Sequence, residues 1–392
     1  MRNGGSYRRG RTVRGSEHYV SPYDNIPRLN ILVPNLGSTS LKFQILAMPE
    51  ENVLARGRFE RVADYRSAIQ EIRTGSTAID AVAFKAVHGG PRYCGTFLID
   101  NNVVAALEQF LPAAPAHNAI YLTAIQAFRQ AMPGVPLVAA FETEFHATLP
   151  AHASLYGVPA AWRDAGVRRY GFHGASHQYV AERVAAMLGC PKEALRTISC
   201  HLGGSSSICA IERGRSVDTT MGFSPQSGLE NATRHGDLDA FAVLYLMERN
   251  GWTAEEVRGQ LAREGGLAGI SGVAGGDVRD IQQAATTGNQ NAVDAIEMFA
   301  YQVRKTVGAY TAAMGGVDAV AFTGGIGENS PELRARCCAG LEFLGIRLDA
   351  ATNETGAGDR VVSEKHAPIT VIALATNEEL IVARRAHALL TR

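Results

Sequence analysis

Two matching segments of the sequence place glycine and hydroxyl residues where an anion could bind. Residues 31–46 are ILVPNLGSTSLKFQIL and residues 197–211 are TISCHLGGSSSICAI, so each has Leu-Gly and small hydroxyl residues between two apolar runs. Tight turns of this type direct backbone N–H groups and hydroxyls toward one point, where an anion can bind. A single Gly/Ser turn is more often a plain hairpin connection. Two such turns in matching halves of the chain favour a cleft that binds a polyphosphate.

A third glycine segment follows a predicted buried strand at residues 319–322 and precedes a predicted helix with Pro331 in its first turn. A strand, a glycine loop and a helix start allow the backbone to approach a ligand closely and add the positive end of a helix dipole. The spacing matches neither a P-loop nor a well-placed G-x-G-x-x-G, so it does not favour those two sites. The segment consists of Gly324, Gly325, Ile326, Gly327, Glu328 and Asn329.

His173 and His177 lie four residues apart in GFHGASH, the spacing of a pair of zinc ligands on one helix face. The segment lacks the glutamate of H-E-x-x-H, however, and Gly174 disfavours a regular helix at this point. The sequence therefore argues against zinc here. A hydrogen-bonded histidine of the core remains an alternative for His177.

The elements that must position these segments are alternating strands and helices. Apolar periodicity predicts helices over residues 118–134, 176–189, 292–316 and 377–390, with Ser176 as the N-cap of the second. Short apolar strands lie between them, which indicates an α/β protein with partly parallel sheets. The repeated hairpin further suggests a duplicated domain whose copies face each other across a cleft.

Composition excludes several classes of protein. The 392 residues suffice for two domains, and 46% hydrophobic with 19% charged residues is typical of globular chains. Lys+Arg and Asp+Glu are both 38, so no net field favours nucleic acid or an anionic membrane. No apolar run reaches the roughly 20 residues that span a bilayer. The six cysteines have neither disulfide-framework nor zinc-ribbon spacing, which favours the reducing cytoplasm.

The first 28 residues are rich in Arg, Gly and Ser and lack hydrophobic periodicity. They contain no apolar core of a secretory signal. The sequence predicts a disordered basic tail over residues 1–28, and a basic docking arm is the alternative.

Many further motifs occur along the chain. In order, the full set is NLGSTSLKF, VHGG, APAHN, FETEFHATLP, RRYGFHGASHQYV, CHLGGSSSICAI, SVDTTMGFSP, TRHGDLD, SGVAGGDVRD, FTGGIGENSPELR and TNEEL. With these motifs in this order, the sequence resembles the acetate kinase family of the sugar kinase, actin and heat-shock ATPase superfamily. The resemblance covers about residues 30 to 390.

The resemblance implies two duplicated ribonuclease H-like (actin-like ATPase) domains around a central cleft. Residues 29–146 together with 379–392 would form the first domain and residues 147–378 the second. The implied activity is reversible transfer of the γ-phosphoryl group of ATP to acetate, with Mg²⁺ or Mn²⁺ as cofactor. Both reactants are anions, so catalysis would consist mainly of positioning and charge neutralisation. The family also implies a homodimer, with no nucleic-acid or membrane partner.

The resemblance also implies catalytic residues. Arg234 matches the arginine that stabilises the transferring phosphoryl group, a role for which a guanidinium fork is well suited. In isolation it could instead be a surface arginine paired with Asp237 or Asp239. His173 matches the histidine that donates a hydrogen bond to the same phosphoryl group, and His117 matches another active-site histidine.

Metal, nucleotide and acid ligands follow from the same comparison. Asn35 and Glu378 match the neighbours of the magnesium ion, although the first turn of a helix favours a carboxylate without any metal. Asp277 and Arg279 could also form a plain exposed ion pair. The implied nucleotide ligands are Lys42, His201, Gly203, Gly204, Asp277, Val278, Arg279, Gly325, Ile326, Gly327, Glu328 and Asn329. The implied acid-binding residues are Lys85, Val87, Ala116, Phe172 and Pro225.

Four positions depart from the family pattern. Lys85 replaces an arginine, which keeps the charge but loses the bidentate fork. Glu142, implied to be catalytic, replaces an aspartate, and its longer side chain could compensate for the change at Lys85. Gly204 replaces an asparagine. Ala116 replaces the usual leucine, which would enlarge the acid pocket and favour propionate or a longer acid.

Two other classes of function remain open at this point. A non-catalytic ATP-binding sensor is favoured by the three polar departures and disfavoured by the retained Arg234 and His173. A sugar or glycerol kinase of the same superfamily would need an aspartate base near a polyol pocket, and no separate candidate is present.

Overall fold

The computed structural model describes residues 26–37, 40–62 and 64–392, apart from the side chain of Ala116. Most of the predicted tail, residues 1–25, lies outside these ranges. Across the described part of the chain, no helix is both long and apolar enough to cross a membrane.

The first sheet contains β1 (Leu29–Leu36), β2 (Ser40–Met48), β3 (Asn52–Glu60), β4 (Ala81–Ala86), β5 (Thr96–Leu98) and β6 (Leu137–Phe141). Its strand order is β3-β2-β1-β4-β6-β5. Strands β1, β4 and β6 are parallel to one another, whereas the other neighbours are antiparallel. The residues of β4 and β6 are apolar almost throughout, because helices cover both faces of the sheet.

The second sheet repeats this arrangement with β7 (Arg196–His201), β8 (Ser207–Glu212), β9 (Arg215–Thr219), β10 (Ala319–Thr323), β11 (Arg360–Val361) and β12 (Thr370–Ala373). Its order is β11-β12-β10-β7-β8-β9, so β9-β8-β7-β10-β12 corresponds to β3-β2-β1-β4-β6. The directions of the paired strands also correspond. The predicted α/β fold with two duplicated ribonuclease H-like domains is confirmed.

Fifteen α-helices accompany the sheets within the described residues. In the first half they are α1 (Tyr65–Thr74), α2 (Asn101–Gln109), α3 (Pro115–Ala131), α4 (Ala151–Ser154), α5 (Ala160–Asp164) and α6 (Gly174–Leu188). In the second half they are α7 (Ala240–Asn250), α8 (Ala254–Arg263), α9 (Gly266–Ser271), α10 (Val278–Thr286), α11 (Gln290–Ala313), α12 (Gly324–Asn329), α13 (Pro331–Cys338), α14 (Ala350–Glu354) and α15 (Glu378–Leu390).

Helix α15 returns from the second sheet to the first. Its Ile381, Val382 and Ala386 are fully buried against apolar side chains of the first sheet, among them Ile31 and Val33 of β1. Burying such side chains contributes about 1.5–3 kcal/mol each for the larger ones. The last helix of the chain is thereby fixed beside β1, with its N-terminus at the edge where β4 and β6 end. The exact domain boundaries stay a prediction.

Two local expectations from the sequence were wrong. Helix α6 begins at Gly174 rather than at Ser176, and His173 precedes it with a left-handed φ of 57°. A Cβ at position 174 would lie 2.0 Å from the carbonyl oxygen of Glu142, so only glycine allows this close approach. The glycine segment after β10 is the short helix α12 rather than a loop, because the N–H groups of Ile326 and Gly327 donate to the carbonyl of Leu202.

Candidate active site

Lys85, Glu142 and Glu378 form a charged cluster at one edge of the first sheet. Lys85 lies near the end of β4, Glu142 follows β6, and Glu378 begins α15. The ends of parallel neighbours meet at one edge, which brings these side chains together. The Nζ atom of Lys85 lies 3.5 Å from Oε1 of Glu142 and forms a salt bridge with Oε2 of Glu378.

Burial and charge act against each other in this cluster. Burial alone would lower the pKa of Lys85, but Glu378 and Glu142 raise it well above its usual value. Burial raises the pKa of Glu142, which Lys85 offsets only in part. The pKa of Glu378 is lowered despite its burial, because Lys85 and His201 stabilise the carboxylate. The geometry therefore keeps a cationic lysine and an ionised Glu378 side by side.

His173 lies between this cluster and the second sheet. Its backbone N–H donates to Oε2 of Glu142 at 3.3 Å. Its ring stacks on that of His201, at the end of β7, with centroids 4.3 Å apart. Burial lowers the pKa of His173 well below its usual value, and His201, His177, Lys85 and Arg234 lower it further. The imidazole is therefore neutral at physiological pH.

Arg234 provides a buried cation at the same place. The residue is only 8% exposed. Its Nη1 donates to the carbonyl of Pro225 at 2.6 Å, and its Nη2 lies 3.4 Å from Oδ1 of Asn231. Burial lowers the pKa of Arg234 to about 10, while Glu142 opposes the effect. The alternative expectation, a surface Arg234 paired with Asp237 or Asp239, is wrong. Asp237 instead accepts from the N–H of Gly228, and Asp239 caps α7.

His117, in the first turn of α3, belongs to the same electrostatic neighbourhood. Burial lowers its pKa to about 4, and the charges of Arg234 and Lys85 contribute to the shift. Both cations also act on His173. Arg234 and Lys85 therefore lie within electrostatic range of both His117 and His173, and Glu142 lies within range of Arg234 and Lys85.

The predicted acid pocket is apolar and tightly packed. Val87 and Phe172 are buried, and the carbonyl of the buried Pro225 holds Arg234. The backbone of Ala116 lies on α3, one residue before His117. An apolar cavity of about 350 Å³ adjoins this region, lined by the residue before Ala116 and by the residues on either side of Pro225. These lining neighbours are Pro115, Ser224 and Gln226.

Sequence reasoning missed His88, which lies among aromatic rings next to this pocket. Its ring centroid is 4.6 Å from that of Phe110, 4.7 Å from that of Tyr170 and 5.5 Å from that of Phe172. Its Nε2 bonds to the carbonyl of Phe223 at 2.8 Å, and burial lowers its pKa to about 4. The only signal was its place in VHGG, between Val87 and two glycines.

Asn35 and Lys42 are directly opposed on β1 and β2. Lys42 is exposed, whereas Asn35 donates through Nδ2 to Oε1 of Glu379 at 3.1 Å. The sequence pointed to Glu378 and missed Glu379 beside it. Asn35, Glu378 and Glu379 supply hard oxygen atoms, the ligands that Mg²⁺ takes. Among the described residues, no group of three or more His, Cys, Asp or Glu side chains could hold a metal ion.

The predicted nucleotide segments line a cleft of about 1020 Å³, at the upper end of the range for ligand pockets. Asp277 caps α10 and its carboxylate pairs with Arg279 at 2.6 Å, so the ion pair expected as an alternative is present and also lines this cleft. Gly327 is instead buried under the cleft floor, and the carbonyl of Glu328 accepts from Arg334. The predicted residues in the lining are Gly203, Gly204, Asp277, Val278, Arg279, Gly325, Ile326 and Asn329.

Comparison with known proteins assigns the chain to a family. A sequence model described as the acetokinase family matches residues 64–384. The chain belongs to the acetokinase family. The expected membership is thereby confirmed. The acetate kinase of Bacillus subtilis (strain 168) is 40% identical over 386 residues, which cover 90% of this chain and 98% of that protein. The propionate kinase of Escherichia fergusonii is 42% identical, with coverages of 90% and 95%.

Solved structures of acetokinase-type enzymes have the same fold. The crystal structure of Porphyromonas gingivalis acetate kinase superposes with a TM-score of 0.82 at 35% identity, covering 92% of this chain and all of that one. A propionate kinase from Francisella tularensis gives a TM-score of 0.84 at 31% identity, covering 91% of this chain and 98% of that one. This chain is therefore similar to both acetate and propionate kinases over nearly its whole described length.

Proposed function

We propose that this acetokinase-family protein is an acetate kinase, which transfers the γ-phosphoryl group of ATP to acetate and gives acetyl phosphate and ADP. A carboxylate oxygen forms the new bond to the γ-phosphorus while the bond to the β–γ bridging oxygen breaks and leaves ADP. No proton has to leave the acid, because it reacts as a carboxylate. The observation that carries the proposal is the buried Arg234 within electrostatic range of His173, His117 and Glu142.

Arg234 and His173 would stabilise the group in transfer. Charge on the equatorial oxygens of a metaphosphate-like transition state is favoured by pre-oriented donors in a site shielded from water. Arg234 keeps its charge because even its lowered pKa of about 10 lies above neutral pH. Its contacts with Pro225 and Asn231 fix the guanidinium before substrate binds, so little reorganisation is needed.

Asn35 and Glu378 would hold Mg²⁺ or Mn²⁺, in part through water, beside the phosphates of ATP. When bound, the ion supplies positive charge to the polyphosphate. Lys85 keeps Glu378 ionised, as the lowered pKa of that carboxyl indicates, and so keeps its oxygens available as acceptors. Lys42 and the cleft-lining glycines would contact the phosphates and adenosine of the nucleotide.

Lys85 would also attract the carboxylate of the acid, whose short alkyl group would lie against Val87, Phe172 and Pro225. Propionate or a longer acid is the second candidate substrate. It is favoured by the alanine at position 116 and by the adjoining cavity of about 350 Å³. A non-catalytic ATP sensor is a weaker candidate, because it would not require a buried arginine such as Arg234 close to His173.

A hydroxamate assay tests the proposal. The purified protein is incubated with Mg-ATP, acetate and hydroxylamine, which converts an acyl phosphate into an acyl hydroxamate. We expect turnover with acetate, none without acid, and a loss of about 10³-fold or more in Arg234→Lys, since lysine lacks the planar fork. ATP binding without any hydroxamate from acetate, propionate or butyrate would instead identify a sensor.

We further propose a homodimer in the cytoplasm. Helix α7 has no buried residue, although it carries Phe241, Leu244 and Tyr245, and Phe241 is 77% exposed. The equal numbers of acidic and basic residues give two copies no net repulsion. Sedimentation should give a dimer for the native protein and a monomer for Phe241→Asp, and a native monomer would refute the proposed dimer.

The proposed cytoplasmic location is supported by the cysteines. All six are free, as expected in a reducing compartment.

A further inference from the structure

A chain of alternating serine and histidine side chains leads from the second sheet to His173. Oγ of Ser199 lies 2.8 Å from Nδ1 of His177, and Nε2 of the same ring lies 2.9 Å from Oγ of Ser207. Oγ of Ser207 in turn lies 2.8 Å from Nδ1 of His173, whose Nε2 lies 2.9 Å from Oγ of Ser205. All of these distances are those of ordinary hydrogen bonds.

The positions in the fold explain this chain. Ser199 and His201 lie on one face of β7, since residues two apart in a strand share a face, and Ser207 opposes His201 across the β7–β8 pair. Helix α6 presents His177 to that face, and His173 immediately precedes the helix. Ser199, His177 and Ser207 are completely buried. Protein groups are therefore their available partners.

Ser207 couples the tautomers of the two rings. A serine hydroxyl has one proton, so when it donates to Nδ1 of His173 it must accept from Nε2 of His177. His177 then carries its proton on Nε2, and its Nδ1 accepts from Ser199. If every bond reverses, both rings instead carry the proton on Nδ1. The chain therefore allows two self-consistent directions, and both rings have the same tautomer in each.

A phosphoryl group bound at Nε2 of His173 would select one direction. Nε2 of His173 faces Ser205, which follows the cleft-lining Gly203 and Gly204. Phosphoryl oxygens in their ionised form only accept hydrogen bonds, so a ring that contacts them through Nε2 must carry its proton there. Because burial keeps the ring neutral, Nδ1 of His173 must then be the acceptor.

We propose that Ser207, His177 and Ser199 are positioning residues that hold His173 with its proton on Nε2, directed at the transferring phosphoryl group. The inference rests on the proposed function, because it takes that group as the partner of His173. No proton is transferred along the chain; it fixes a tautomer and a ring orientation. His177 thus has a task in the reaction without contacting substrate.

Ser207→Ala removes the coupling and Ser216→Ala is a matched control. Ser216 is equally buried, and its Oγ lies 2.8 Å from Nδ1 of another buried histidine, His146, which is outside the chain. Loss of the hydrogen-bond partner that orients a metal-bound imidazole typically costs about 10–100-fold in activity, and Ser207 has the same orienting role for His173. We expect a fall of that size in the kcat of Ser207→Ala, with the KM for ATP within about twofold, since the lost interaction acts in the transition state. Ser207→Thr, which keeps the hydroxyl, should restore most of the rate, and Ser216→Ala should retain it.

Histidine ¹⁵N resonances measure the tautomers directly. With Mg-ATP bound to the full-length protein, His173 and His177 should both carry the proton on Nε2, and Ser207→Ala should lose this correlation. Nδ1 protonation of His173 with Mg-ATP bound, or different tautomers on the two rings, would overturn the proposal. Equal kcat losses in Ser207→Ala and Ser216→Ala would also overturn it, because the effect would then be general packing. If the tautomers correlate but no acid yields hydroxamate, the network stands and the proposed function fails.

Discussion

The ammonium of Lys85 and the carboxylate of Glu142 are 3.5 Å apart in a buried cluster. Both residues were expected to depart from the family pattern and to compensate for each other, and their contact supports that expectation. Glutamate extends one methylene further than aspartate, while lysine offers a point charge in place of a fork. The pair is thus a candidate for a compensated exchange.

We expect each of Lys85→Arg and Glu142→Asp alone to lower kcat/KM for acetate by about tenfold or more, because a shift of ~1 Å in a catalytic group can cost ~100-fold. The double variant should recover part of that loss, giving a coupling free energy of about 0.5–3 kcal/mol. Initial rates for the four proteins of the cycle measure it. Strictly additive losses would show that the two residues act independently.

Buried neutral histidines should make stability depend on pH. Burial lowers the pKa of His88 and of His146 to about 4, whereas an unfolded chain has histidine near its usual 6.5. Between these values the unfolded state binds more protons, so the free energy of unfolding falls as pH falls from 6.5 toward 4. Each histidine would contribute a loss on the order of 2 kcal/mol between pH 6.5 and 5.

Urea unfolding at pH 7 and pH 5 measures this effect. His146→Gln should be less stable at pH 7, because it alters the bonds to Ser216 and Phe172, yet it should lose less stability on acidification. The exposed His152 provides the control, and His152→Gln should keep the native pH dependence. An unchanged slope in His146→Gln would contradict the assignment.

Gly174→Ala should disrupt the site through the backbone. The added Cβ would lie 2.0 Å from the carbonyl of Glu142, so either α6 or the turn after β6 must move. We expect a loss of about 3 kcal/mol or more in the free energy of unfolding, together with loss of activity. Gly308→Ala is the matched control, since nothing lies within 4 Å of its Cβ position in α11. That variant should gain up to about 1 kcal/mol of stability.

The residue at position 116 should influence the choice of acid. We expect Ala116→Leu to lower kcat/KM for propionate and butyrate by roughly tenfold or more relative to acetate, because added carbons fill the space that a longer alkyl group needs. Hydroxamate rates across acetate, propionate and butyrate provide the comparison. A native protein that prefers acetate over propionate a hundredfold would remove the reason for the prediction.

The fold was accessible from the sequence because its signals are local and repeated. The two Leu-Gly hairpins identified the duplication, and four long helices were predicted within a few residues of their observed ends. Helix α12 was missed because its start depends on a carbonyl of Leu202, more than a hundred residues earlier. A sequence pattern contains no information about such a partner.

The site was accessible only as a set of residue types. Lys85 was expected to bind the acid and Glu378 the metal, yet the two form a salt bridge across 293 positions of the chain. The sequence left open whether His177 is a metal ligand or a hydrogen-bonded histidine of the core. In the structure its ring nitrogens bond to two serine side chains, which explains its burial. Contacts of this kind depend on how β7, β8 and α6 pack, which periodicity does not specify.

The position of α15 has a consequence for biosynthesis. The first sheet leaves the ribosome long before the helix that covers one of its faces and carries Glu378. Until that last segment emerges, the early strands expose Ile31 and Val33 to water, and Lys85 lacks one of its two counter-charges. Completion of the first sheet's core and charge pairing of Lys85 with Glu378 therefore depend on the same helix.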